Sequence, residues 1–194
     1  MKFETFKFEN IKSTNDEAIN LIKKEKMTTG CVYANMQTAG RGTHGRKWIS
    51  IEGNLFLSIF FALEKNHPPF NEFSIINPIL ITDVIKNFCK EKKISIKFPN
   101  DIFLNKKKIG GILQELINFE NKNFLIIGIG INLVSHPCIK EKYETTNIFI
   151  ETNKKLTSEE IKDKIISCYE KFFISLKTYE FIEFKKKAEH MASK

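Results

Sequence analysis

The residues best suited to chemistry are two arginines. Of 31 lysine and arginine residues only Arg41 and Arg46 are arginine, and both lie in the short segment Gly40–Trp48. A guanidinium is a planar fork that can grip a carboxylate or phosphate through two hydrogen bonds, whereas an ammonium is a compact point charge. A chain that uses lysine everywhere else and arginine only here points to an anion clamp. Gly40, Gly42 and Gly45 punctuate the same segment, and Gly110–Gly111 and Gly128/Gly130 form two further groups. Glycine lets a backbone approach a bound group closely, as a loop wrapped around an anion requires. Asp101, after Pro99–Asn100, offers a carboxylate for a magnesium ion or a site hydrogen bond, or for its own turn. Lys47 and Lys108 add cations that could offset the repulsion between two anionic reactants.

These residues need elements to hold them. Lys2–Phe8 alternates and predicts a strand. Ser13 fits an N-cap for a helix over Asn15–Lys26, with Asp16 and Glu17 in its first turn. Cys31–Gln37 predicts a strand running into the arginine loop. Asn54–Leu63 is almost continuously apolar and predicts a buried central strand. Ser74–Lys90 has helical spacing, with Pro78 expected in its first turn. Ser95–Phe98 is a short strand. Ile102–Leu104 and Ile109–Ile117 flank the polar turn Asn105–Lys107, a hairpin signature, and Phe124–Asn132 is one more strand. Thr157-Ser158-Glu159-Glu160 is a capping box before a helix, and a last helix is expected over Tyr179–Lys187. The class is α+β: a mixed or antiparallel sheet with helices packed on one face.

Five segments share an order with one family. QTAGRGTHGRKW (Gln37–Trp48) resembles the biotin loop of biotin–protein ligases. KFPND (Lys97–Asp101) is similar to that family's K-W-P-N-D element, KKIGGILQE (Lys107–Glu115) to its K-x-x-G-I-L strand, and GIGINL (Gly128–Leu133) to its G-x-G-I-N turn. IKSTNDEA (Ile11–Ala18) resembles its S-T-N helix start. The resemblance covers about residue 8 to 135.

It implies a catalytic domain of the biotin/lipoate ligase kind, similar to class II aminoacyl-tRNA synthetases. The implied activity makes biotinyl-5′-AMP from biotin and ATP with Mg²⁺, then passes biotin to a lysine of a biotin carboxyl carrier domain. The resemblance places Lys108, Arg41 and Asp101 in catalysis, with Asp101 able to meet Mg²⁺ through the substrate. It assigns biotin to Ser13, Thr14, Asn15, Gln37, Gly40, Arg41, Gly42, Thr43, Lys108, Gly111 and Leu113. It assigns ATP to Arg41, Arg46, Lys47, Trp48, Asn100, Lys108 and Asn132. Two departures stand out: Thr43 and His44 occupy the positions between Gly42 and Gly45 of the family's G-R-G-R-x-G-R loop, so an arginine is lost at 43, and Phe98 replaces its tryptophan.

Composition limits the alternatives. With 42% hydrophobic and 28% charged residues, the 194-residue chain is globular and fits a single catalytic domain spanning 1–194. No helix-turn-helix is expected before it, and the small β-barrel that follows in many relatives is expected to be absent or truncated. Met1–Asn10 lacks an apolar signal core and no stretch nears the roughly 20 apolar residues of a membrane span, so a cytoplasmic protein is expected. Cys31, Cys89, Cys138 and Cys168 form no C-x-x-C pair, which argues against structural zinc. The net charge of +8 is spread over the chain rather than clustered, which reads first as a solvated lysine-rich surface and next as a match for an acidic partner such as the carrier domain the resemblance implies. Neither DNA nor a membrane is expected as a partner. A homodimer is left open. The competing readings are a lipoate or octanoate ligase of the same fold, and a basic nucleic-acid-binding module.

Overall fold

The computed structural model describes residues 1–89, 93–138 and 143–192. Seven strands form one sheet: β1 (Thr5–Ile11), β2 (Thr29–Gln37), β3 (Leu55–Ala62), β4 (Ile94–Lys97), β5 (Asp101–Leu104), β6 (Lys107–Phe119) and β7 (Lys122–Ile131). Their spatial order is β1-β2-β3-β7-β6-β5-β4. β1 and β2 run parallel and every other neighbouring pair is antiparallel. The parallel pair needs a crossover, and helix α1 (Thr14–Lys24) supplies it.

Alternation along the central strands sorts their side chains onto two faces. Tyr33 of β2, Leu57 and Phe61 of β3, and Leu125, Ile127 and Ile129 of β7 share a core with helices α2 (Phe73–Lys86) and α4 (Ser158–Ile174). Their neighbours Val32, Phe60 and Ile126 point the other way and pack on Ala18, Leu21 and Ile22 of α1. The helical layer on one face is therefore as the pattern predicts for α2, α4 and the last helix α5 (Phe181–Met191), whereas α1 covers part of the opposite face. The two-sided burial of β3 explains its unbroken apolar run.

Local signals hold where they are chemical. Ser13 caps α1 by accepting the Asp16 N–H, and Thr157 caps α4 by accepting the Glu160 N–H. The β5–β6 turn is Asn105–Lys106, both with positive φ, and Glu120–Asn121 closes β6–β7 the same way. That geometry matches the twist of two-residue hairpins. Pro78 falls just past the first turn of α2 rather than within it, because the helix starts at Phe73, one residue before the expected Ser74. Its missing N–H is tolerated there by dense packing, with α2 buried on almost every side. The helix ends at Lys86, and the expected terminus at Lys90 lies outside the described residues. The sequence pattern missed the short helix α3 (Ile148–Thr152), capped by Asn147. No helix among the described residues is long and apolar enough to cross a membrane.

Candidate active site

The α1-bearing face of the sheet carries a trough. Pairing sets Gly111 of β6 opposite Gly130 of β7, and Leu113 opposite Gly128. With no side chains at three of these four positions, other groups settle onto the backbone. A Cβ at Gly111 would lie 2.9 Å from Cζ3 of Trp48, and one at Gly130 would overlap the same indole. A Cβ at Gly128 would overlap the Asn15 side chain. The Trp48 indole thus lies across the trough beside Asn15, and its Nε1–H is buried without a partner among the described residues. An unpaired buried donor costs stability unless something else accepts from it.

Lys108 reaches this face through a bulge. Ile102 pairs with Gly110 but Phe103 pairs with Lys108, so Ile109 is the extra residue. Ile109 turns into the α2/α4 core, and Lys108 is re-aimed to the cleft side. There its Nζ lies 2.8 Å from Asp101 Oδ1, with both side chains largely buried. Asn100 donates to the same oxygen at 3.0 Å. Lys107 instead meets Glu144, and Lys106 is exposed in the turn, as expected of surface lysines.

The arginine segment is a closed loop. Its limbs are joined by Trp48 N–H to Gly40 O at 2.9 Å and Gly42 N–H to Arg46 O at 2.7 Å, with a single tight turn at Thr43–Gly45. His44 and Gly45 both have positive φ at its tip. Thr43, which stands where the family motif has arginine, accepts from the Arg46 guanidinium at 2.8 Å. Asn100 lies 3.5 Å from the same hydroxyl.

The cleft between loop and sheet takes in about 690 Å³ of non-protein space, much of it open to solvent. Of the residues expected from sequence, Gly42, Thr43, Arg46, Lys47, Trp48, Asn100, Asp101, Lys108, Gly111, Leu113 and Asn132 line it. Asn132 also donates to Thr146 O, tying the end of β7 to the segment that carries Thr145 and Pro137 on the far wall.

Ser13, Thr14, Asn15, Gln37, Gly40 and Arg41 are not on that wall. They form a neighbouring cluster at the α1 N-terminus. Thr14 donates to Gln37 Oε1 from both its N–H (2.8 Å) and its hydroxyl (3.1 Å), and Gln37 donates onward to Ser50. Ser58, on the sheet floor, is within hydrogen-bond distance of Thr14 Oγ1 and Asn15 Oδ1. Arg41 forms a two-pronged pair with Glu115, both contacts 2.7 Å, and a third 2.7 Å contact with Asp16. Hydrogen bonding to Glu115 raises the Arg41 pKa further.

Glu115, Asp16 and Ser58 were not singled out from sequence. Ser58 had a readable signal, as the one polar residue inside the apolar run LFLSIFFAL. Glu115 had none, since its partners come from the loop and from α1. Cys138 is an exposed free thiol, and among the described residues no group of three or more His, Cys, Asp or Glu side chains could hold a metal.

With the geometry in place, comparison with known proteins settles the lineage. The model of the Biotin/lipoate A/B protein ligase family matches residues 7–132. The chain belongs to that family. It is 37% identical to the bifunctional ligase/repressor BirA of Escherichia coli over 63% of this chain and 38% of that protein, so it spans well under half the length of that relative. It is 29% identical to the biotin–[acetyl-CoA-carboxylase] ligase of Paracoccus denitrificans over 87% of this chain and 72% of that protein. Among solved structures, it superposes on the Aquifex aeolicus biotin protein ligase in complex with biotin and ATP with a TM-score of 0.80 at 28% identity. That match covers 97% of this chain and 78% of the other. The Leishmania major biotin protein ligase in complex with biotinyl-5-AMP matches with a TM-score of 0.81 at 25% identity, over 98% and 81% of the two chains. The family's five motifs thus map onto one trough, one loop and one helix start.

Proposed function

We propose that this chain joins biotin to ATP, releasing pyrophosphate, and transfers the biotinyl group from biotinyl-5′-AMP to a lysine of a biotin carboxyl carrier domain. The observation that carries the reading is the buried Lys108–Asp101 pair at the edge of a glycine-floored cleft whose opposite wall holds Arg46 and Lys47. The relatives' biotin, ATP and biotinyl-adenylate complexes support the same assignment.

The reaction brings together two anions. A biotin carboxylate oxygen forms a bond to the α-phosphorus of ATP while the bond to the pyrophosphate oxygen breaks, and the electron pair leaves with pyrophosphate. Lys108 supplies positive charge where these groups meet, and Arg46 adds a second cation across the cleft. Asp101 and Asn100 fix Lys108 in place, so little reorganisation is needed at the moment of reaction. In the second step a neutral lysine amine of the acceptor attacks the mixed anhydride carbonyl, the bond from that carbon to the phosphate oxygen breaks with AMP as leaving group, and the proton shed by the new amide nitrogen passes to solvent. The trough and the Thr14–Gln37–Ser58–Asn15 cluster suit the biotin ring, with the loop closing over the adenylate.

The residues do not build a magnesium cage. Asp101 is the cleft's one aspartate and is already paired with Lys108, and no acidic cluster accompanies it among the described residues. Magnesium would therefore arrive on the phosphates of ATP as part of the substrate.

Biotin-dependent ATP–pyrophosphate exchange tests the reading, with lipoate and octanoate as controls. Exchange driven by lipoate but not biotin would assign the alternative substrate, and tight binding to generic DNA at physiological salt would revive the nucleic-acid reading.

The loop also carries a prediction. Thr43 replaces a cation beside the proposed adenylate site, so this loop should retain its intermediate less firmly than an arginine-rich one. Thr43→Arg is expected to slow the release of biotinyl-5′-AMP about tenfold, the scale of one added charge-assisted hydrogen bond. Equal release rates, measured by rapid dilution of loaded protein, would reject this.

A further inference from the structure

The structure assigns Arg41 a different task from Arg46: we propose that Glu115 and Asp16 hold Arg41 as a latch that positions the loop, and that Glu115 is a positioning residue for the whole cleft wall. The meaning of the kinetic readout below rests on the ligase reading; the latch itself does not.

Three observations converge. The Arg41 fork is committed, since Nη1 and Nη2 each meet a Glu115 oxygen at 2.7 Å and Nη2 also meets Asp16 Oδ1 at 2.7 Å. Arg41 does not line the cleft, whereas Arg46 does. Finally, Glu115 Oε2 also accepts from Asn15 Nδ2 at 2.7 Å, and Asn15 in turn contacts Ser58 on the sheet floor. One carboxylate therefore ties the first limb of the loop to the start of α1 and, through Asn15, to β3. Every loop residue on the cleft wall, from Gly42 to Trp48, follows Arg41 in the chain. The latch sits at the base of that limb, where Arg41 also bridges to Lys47.

The chemistry of Glu115 is hard to replace. Both of its oxygens are used as acceptors, one by Arg41 and the other by Arg41 and Asn15 together. In Glu115→Gln one oxygen becomes an NH₂ group that faces at least one other donor whichever way the amide turns, so at least one partner is lost. Arg41→Lys keeps the charge but not the fork. Asp16→Asn keeps an acceptor and should have the smallest effect.

The test uses trypsin, because Arg46 and Lys47 are exposed on the loop. The rate of cleavage after these two residues reports how often the loop opens, independent of any activity. Glu115→Gln and Arg41→Lys should each raise this rate about tenfold, the scale of a partly exposed charge-assisted pair. They should raise KM for biotin in the exchange assay by a similar factor while kcat changes little. The swapped pair Arg41→Glu with Glu115→Arg should recover part of the slow cleavage. Unchanged cleavage and unchanged KM in Glu115→Gln overturn the latch. Faster cleavage with unchanged KM also overturns it as a positioning device. A wild-type protein with no biotin-dependent exchange would overturn the ligase reading instead, leaving the cleavage result to decide the latch.

Discussion

Lys108→Ala is expected to abolish formation of biotinyl-5′-AMP, with biotin-dependent pyrophosphate exchange falling at least about a thousandfold. Lys108 is the cation that the bulge at Ile109 turns into the cleft, and its ammonium is already paired with Asp101 at 2.8 Å. Removing it takes away charge from the place where a carboxylate meets a phosphate. It also leaves the Asp101 carboxylate largely buried with, among the described residues, only a neutral amide donor, Asn100. The substitution should therefore lower stability by roughly 2–3 kcal/mol, read from urea unfolding. The two effects separate in the double variant Lys108→Ala with Asp101→Asn. That variant should regain most of the stability and none of the exchange. A single variant that still exchanges pyrophosphate near the wild-type rate would show that another group neutralises the reactants.

The second large effect should come from adding one methyl group at Gly40. A Cβ there would sit 2.6 Å from the Trp48 carbonyl oxygen and 3.0 Å from Gln37 Nε2. The nearest obstacle is backbone, so no change of rotamer relieves it. The two limbs of the loop must part, breaking the Trp48 N–H to Gly40 O bond that closes it. Thr43, Arg46, Lys47 and Trp48 would then move together away from the sheet. A displacement of about 1 Å can cost a hundredfold in a site that works by positioning, so kcat/KM for biotin should fall about a hundredfold. The melting temperature should drop only a few degrees, because the loop lies outside the main core. If kcat/KM stays within a few-fold of wild type, the closed loop is not what the reaction needs.

These expectations also separate two uses of a guanidinium. From sequence, Arg41 and Arg46 look alike, two forks in one glycine-rich loop. In the fold, Arg46 lines the cleft with Thr43 as its support, and Arg41 turns to Glu115 and Asp16. An anion clamp with both forks would show strong salt dependence in substrate binding alone. One clamp and one latch would show it in loop opening as well.

Much was legible without the fold because it is local. Capping by Ser13 and Thr157 depends on residues three apart, the hairpin at Asn105–Lys106 on a short polar turn that opens with an asparagine able to take positive φ, and the burial of β3 on an unbroken apolar run. The order of the five motifs carried the family. What the sequence could not settle is which side chains share a face. Strict alternation back from Leu113 and Gly111 would send Lys107 to the cleft and Lys108 into the core. The bulge at Ile109 reverses this, and a bulge is set by pairing with β5, a partner outside the strand itself. The same holds for Glu115, whose partners lie 74 and 100 residues away in Arg41 and Asn15. The sequence by itself determined the chemistry available to the loop: two arginines, three glycines and a threonine in place of a cation. Only the tertiary structure decided which arginine faces the cleft and which holds the loop, because that choice depends on carboxylates delivered by other elements.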